Sequence, residues 1–129
     1  MIKWEQFEME ERIRSILRDV PDSSDDHQLG RAYLTAYQIA IEFKQRYFED
    51  FEAFLLPLGG AGIGQRNSFS QYIANQLSRR IGAGYLPEVE GGFLSNQHLK
   101  DIHFRDGEDE ITSSLTDSGF TLSMFRLRD

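Results

Sequence analysis

The chain has no cysteine. That excludes disulfide staples and thiolate metal sites, and it is compatible with a reducing compartment. It has three prolines and one tryptophan. The longest apolar-looking stretch, around Ala53–Leu58, falls far short of the roughly 20 residues a membrane-spanning helix needs. Met1-Ile2-Lys3-Trp4-Glu5 has neither the basic nor the apolar region of a secretory signal. The expected setting is the cytoplasm, with no membrane partner.

Acid is missing from one long window. The chain holds 21 Asp and Glu among 129 residues, yet none falls between Glu52 and Glu88. The formal charge is −5 over residues 1–52, +3 over 53–87 and −5 over 88–129, which gives the −7 of the whole chain. The window also carries Gly59, Gly60, Gly62, Gly64, Gly82 and Gly84. A glycine-hinged, mildly basic middle between acidic flanks points to a functional surface at Gln65–Arg80.

The chain is long enough for a single domain, 1–129, with one core. Ten Phe and five Tyr argue against disorder. Trp4, Phe7, Ile13, Ile16, Leu17 and Val20 predict a helix from about Trp4 to Asp19, stopped by Pro21. A second apolar stripe runs from Leu29 through Tyr33, Tyr37, Ala40, Phe43, Tyr47 and Phe51 to Phe54. It reads as one helix of about 28 residues or as two joined near Gly30–Thr35, with Thr35 as a cap. Ser68-Phe69-Ser70-Gln71 reads as a capping box, followed by the stripe Phe69, Ile73, Leu77 and Ile81.

After Pro87 the period changes to two. Ile102 and Phe104, then Ile111, Ser113 and Leu115, then Phe120, Leu122 and Met124 alternate with polar positions. Asp106-Gly107 and Thr116–Gly119 give turn signals, and a short strand fits near Gly92–Ser95. The expected fold is α+β: about three N-terminal helices packed on a C-terminal antiparallel meander of three to four strands.

Chemistry is sparse. Gly59–Arg66 precedes a helix, as phosphate cradles do, and Arg66 could pair with an anion. The dinucleotide spacing is met only loosely, and the Lys-Ser/Thr pair of a P-loop is absent. His98 and His103, near Asp101 and Asp106, do not converge as metal ligands should. No nucleophile motif is legible, and no enzyme, metal or cofactor is expected. The outward face of helix 68–81 offers Ser70, Gln71, Asn75, Gln76, Ser78, Arg79 and Arg80. Such side chains read bases or hold phosphates, and a following hairpin is the order of a winged helix. The acidic tip Glu108-Asp109-Glu110 would be repelled by DNA.

The leading expectation is a small non-catalytic protein that binds another macromolecule, as inhibitors, immunity proteins and antitoxins do. Its partner is a basic protein, met through Arg66, Gln71, Asn75, Arg79, Arg80, Glu108, Asp109 and Glu110. A winged-helix-like nucleic-acid-binding module using helix 68–81 is the alternative. Nucleotide or phosphate binding at loop 59–66 is a weaker one. The aromatic excess leaves room for a homodimer.

Overall fold

A computed structural model describes residues 3–21, 29–60, 68–114 and 122–128. The order is α1 (Lys3–Gln6), α2 (Met9–Arg18), β1 (Leu34–Thr35), α3 (Ala36–Arg46), α4 (Phe48–Ala53), α5 (Phe69–Gly82), β2 (Val89–Leu94), β3 (Asp101–Asp106), β4 (Asp109–Ser114) and β5 (Leu122–Leu127). Helices come first and antiparallel strands second, so the fold is α+β.

The first predicted helix is broken at Glu8, whose φ is 51°. The elbow turns Trp4 and Phe7 onto α4 and α5. Trp4 is buried, and Phe7 lies 4.8 Å from Phe54 between ring centroids. Met9, Ile13, Ile16 and Leu17 of α2 are then free to face the same core.

The second stripe resolves into a strand and two helices. Residues 29–33 are not helical. Leu34 and Thr35 pair with Phe125 and Met124 of β5, and the chain enters α3 from this strand. Thr35 makes the full capping box: its hydroxyl accepts from Gln38 N–H at 3.2 Å, and Gln38 Oε1 accepts from Thr35 N–H at 2.7 Å. The helix stops at Tyr47 (φ −130°, ψ 55°), and α4 starts in a new direction.

The strands do not form one consecutive meander. β3 and β4 make a separate hairpin with Asp106 opposite Asp109, and Gly107 takes φ 63° in the turn. The other sheet has the order β1-β5-β2. Thus β5 pairs with β2, formed before the hairpin, and not with β4. Stacking of Tyr37 on Phe104 (5.0 Å) and the Lys44–Asp106 ion pair (2.7 Å) fasten the hairpin to α3.

The core draws on every helix and on β2, β3 and β5. Phe69 sits at its centre, fully buried, with the rings of Phe43, Phe51 and Phe54 at 5.2, 5.1 and 4.9 Å. Burying each such side chain contributes about 1.5–3 kcal/mol.

Candidate functional site

Helix α5 carries the sequence's first candidate surface. Gln71, Asn75 and Arg79 recur every four residues and form one outward stripe. Asn75 and Arg79 are exposed, and Gln71 is half-buried. Gln71 Nε2 donates to Asn75 Oδ1 at 3.0 Å, so the two amides partly satisfy each other. The expected Ser68–Gln71 capping box is therefore half formed. Ser68 Oγ accepts from Gln71 N–H at 3.2 Å, but the Gln71 side chain points along the helix.

Two residues leave the expected polar face. Ser70 is buried, 3.3 Å from Ser68 Oγ. Arg80 is half-buried, its guanidinium 4.6 Å from the centroid of the Trp4 ring. Burial raises the Tyr72 phenol's pKa, and Arg80 opposes that shift. Arg79 has no ion-pair partner among the described residues. Arg66 lies outside the described residues.

The start of α5 bears on the phosphate reading. Its first N–H groups have acceptors within the chain: Phe69 N–H donates to Pro57 O (2.7 Å), Ser70 N–H to Leu58 O (3.0 Å) and Gln71 N–H to Ser68 Oγ. These are the donors that would cradle an anion at a helix N-terminus. Gly59 (φ 135°) brings the chain this close. A Cβ there would sit 2.3 Å from Ser70 Oγ, so no side chain fits. Loop residues 61–67 lie outside the described residues.

The hairpin tip carries the second candidate group. Glu108, Asp109 and Glu110 are all exposed. Glu110 lies 3.0 Å from His103 Nδ1, which is equally close to Thr112 Oγ1; Glu108 and Asp109 have no ion-pair partner among the described residues. No bond joins this tip to the α5 stripe, so the predicted partner-binding residues fall into two separate groups.

Ion pairs between distant elements are what the sequence did not reveal. Most cations hold elements together. Arg12 bonds Asp50, and Arg14 bonds Glu88 and Glu11. Arg46 holds Asp19 and Glu42 at 2.7 and 2.9 Å, and Arg126 holds Glu90 at 2.8 Å. The Arg14 hydrogen bond lowers the pKa of the Glu88 carboxyl below the ordinary carboxylate value. Glu5, Glu8, Glu49, Glu52, Asp101, Glu108 and Asp109 have no ion-pair partner among the described residues. Lys3, Arg18, Arg79, Arg80 and Arg105 likewise show no ion-pair partner among the described residues, although Lys3 bonds Phe54 O and Arg80 lies over the Trp4 ring.

Two of those carboxylates, Glu49 and Glu52, lie on α4. Phe51 and the capping Phe54 are buried, while Phe48 (50%) and, just past the helix end, Leu55 (88%) are exposed. Leu55 occupies the first position beyond the cap of α4, with φ 57°. Glycine usually stands there, because a left-handed residue with a side chain costs about 1–2 kcal/mol. A cleft of about 600 Å³ opens elsewhere, between α2, α3 and β3. Ile16, Leu34, Ile41 and Phe104 line it, with Asp19, Glu42 and Arg46 at its rim.

Among the described residues no group of three or more His, Asp or Glu could hold a metal ion, and no helix is long and apolar enough to cross a membrane. His98 stands exposed in a loop at φ 62°, and Asp106, near it in sequence, is engaged by Lys44. No known family model, curated protein or solved structure matches the chain, so its function is argued from its own residues.

Proposed function

We propose that this protein acts without catalysis, in the cytoplasm, by binding a basic protein in the manner of an inhibitor, immunity protein or antitoxin. The observation that carries the reading is the exposed acidic hairpin tip on a chain of net charge −7. Glu108 and Asp109 at the tip, and Glu5, Glu8, Glu49 and Glu52 elsewhere, are exposed and have no ion-pair partner among the described residues. Unpaired surface charge of one sign steers an oppositely charged partner and raises the encounter rate. A nucleic-acid role is less well supported. It would rest on Arg79 and on an amide stripe whose members bond each other, in a chain whose net charge of −7 disfavours phosphate.

Affinity purification from the native host, followed by mass spectrometry, tests this. One stoichiometric partner with a basic surface is expected. Converting Glu108, Asp109 and Glu110 to lysine should slow its association at low salt by about tenfold and change dissociation less, because rim charges act mainly on encounter. Measurable binding of duplex DNA that tightens in the same triple variant would overturn the proposal.

A further inference from the structure

β2 lies at the edge of its sheet, with β5 on one side only. Arg128 N–H donates to Glu88 O at 2.7 Å, and the register then sets Glu90 opposite Arg126, Gly92 opposite Met124 and Leu94 opposite Leu122. Bonded and non-bonded pairs alternate along an antiparallel ladder, so these residues bond β5. Val89, Gly91 and Phe93 turn their N–H and C=O groups the other way. Val89 N–H finds Leu86 O at 3.1 Å. Gly91 and Phe93 make no outward backbone bond among the described residues, and both are exposed, Phe93 by 69%.

Open edges are usually blunted by brevity or by charge. β1 has two residues, and β3 and β4 carry Asp101, Arg105, Asp106, Asp109 and Glu110. β2 has six residues and one charge, Glu90, which Arg126 holds at 2.8 Å. Its interior has two glycines, which weaken a strand and often mark the close approach of another backbone. Neither has a positive φ, and a Cβ at Gly92 would have nothing within 4 Å. A Cβ at Gly91 would meet the Phe125 ring at 3.4 Å and Ile81 Cδ1 at 3.5 Å, so the missing side chain leaves an apolar notch at the edge.

We propose that β2 pairs antiparallel with β2 of a second copy across a twofold axis at Gly92, joining two three-stranded sheets into one. The residues of the edge select this register. Gly92 faces Gly92 in a non-hydrogen-bonded pair, the kind whose Cα atoms come closest, at about 4.5 Å. Gly91 and Phe93 exchange N–H···O bonds with Phe93 and Gly91 of the second copy. Opposite residues share a face, so each exposed Phe93 ring fills the other copy's notch beside Phe125. Glu90 faces Leu94, and no acid meets an acid. A strand from a basic protein has no free charge to meet here, because Glu90 already has Arg126. The pairing is independent of the basic partner, and salt separates the two. Screening weakens attraction to a basic protein, but it relieves the repulsion between two copies of charge −7.

Sedimentation equilibrium from about 1 μM to about 1 mM, which covers weak and transient association, measures the dimer. The wild type should dimerise, and about tenfold more tightly when salt rises from about 0.02 M to about 0.2 M. Phe93→Ser removes the anchor, and Gly91→Pro removes an outward N–H that β5 does not use. Each should weaken the dimer about tenfold or more, while Phe93→Ser melts like the wild type in dilute solution. The chain has no cysteine, so Gly92→Cys places a lone thiol on the twofold axis, where a cross-strand disulfide fits. Oxidation with diamide should link it into a covalent dimer about tenfold faster than Ser95→Cys, just beyond the strand. A wild type that stays monomeric throughout, a dimer indifferent to both substitutions, or equal cross-linking at 92 and 95 overturns the proposal. A dimer that salt weakens overturns it too, and assigns the contact to opposite charges elsewhere on the surface.

Discussion

The outward sides of α5 and α4 teach opposite lessons. Helix α5 draws attention in the sequence because it is polar, glycine-flanked and free of acid. In the structure much of that polarity is engaged within the molecule: Gln71 with Asn75, Ser70 with Ser68, and Arg80 with the Trp4 ring. Helix α4 draws no attention, since its sequence Phe48–Ala53 continues an aromatic stripe that reads as core. Yet it presents Phe48, Glu49 and Glu52 to solvent, with Leu55 at its end. Polarity in the sequence therefore does not mean that a group is left without a partner in the folded chain.

The comparison is open to experiment, most forcefully from the inside. Phe69 on the inward side of α5 touches three buried rings, so Phe69→Ala should destabilise the protein by about 3–5 kcal/mol in urea denaturation. If it does not, α5 is not the centre of the core and its outward side has been assigned by default. The next effect is at the start of the same helix. Ser68→Ala removes an acceptor for Gln71 N–H and a neighbour of Ser70 Oγ, and should cost about 1 kcal/mol. A loss near zero would show that the Pro57 and Leu58 carbonyls suffice to hold the N-terminus.

The smallest effect concerns an engaged carboxylate, the counterpart of the unpaired ones on α4. Arg14 holds the pKa of Glu88 below its ordinary value. A carboxyl with a depressed folded-state pKa stabilises the fold above its unfolded pKa, and that contribution is lost as pH falls through the folded one. Thermal melts should thus show a stability component that fades below the normal carboxylate range, and Glu88→Gln should remove it. Because the pair is partly exposed, the component should also shrink in high salt.

The parts of this molecule legible in the sequence are those set by neighbours in the chain. The cap at Thr35, the start of α5 at Ser68 and the turn at Asp106-Gly107 each follow from a few adjacent residues, and each is where the sequence puts it. The elbow at Glu8 and the break at Tyr47 carry no glycine or proline. They come from distant packing: Phe7 on Phe54, and Arg12 over the Tyr47 ring at 4.2 Å. Those two bends decide which side of α4 faces out, so the exposure of Phe48 could not be read from spacing. The pairing of β5 with β2 across the intervening hairpin is likewise non-local. The candidate set Gln71, Asn75, Arg79, Glu108, Asp109 and Glu110 was legible as surface, but not its division into two groups.

The strand order has a consequence for how the protein is made. β5 is the middle strand of its sheet, flanked by β1 and β2, yet it follows both in the chain. Leu34 must wait for Phe125. During synthesis the two outer strands leave the ribosome without the strand that separates them, and their backbone donors and acceptors stay open to other chains. The helices can gather around Phe69 early, but the sheet closes only in a late step over a long sequence separation, which favours slow folding. A nascent chain halted between β2 and β5 would carry much of its helical core and none of this sheet. Such a chain is a natural substrate for chaperones and proteases.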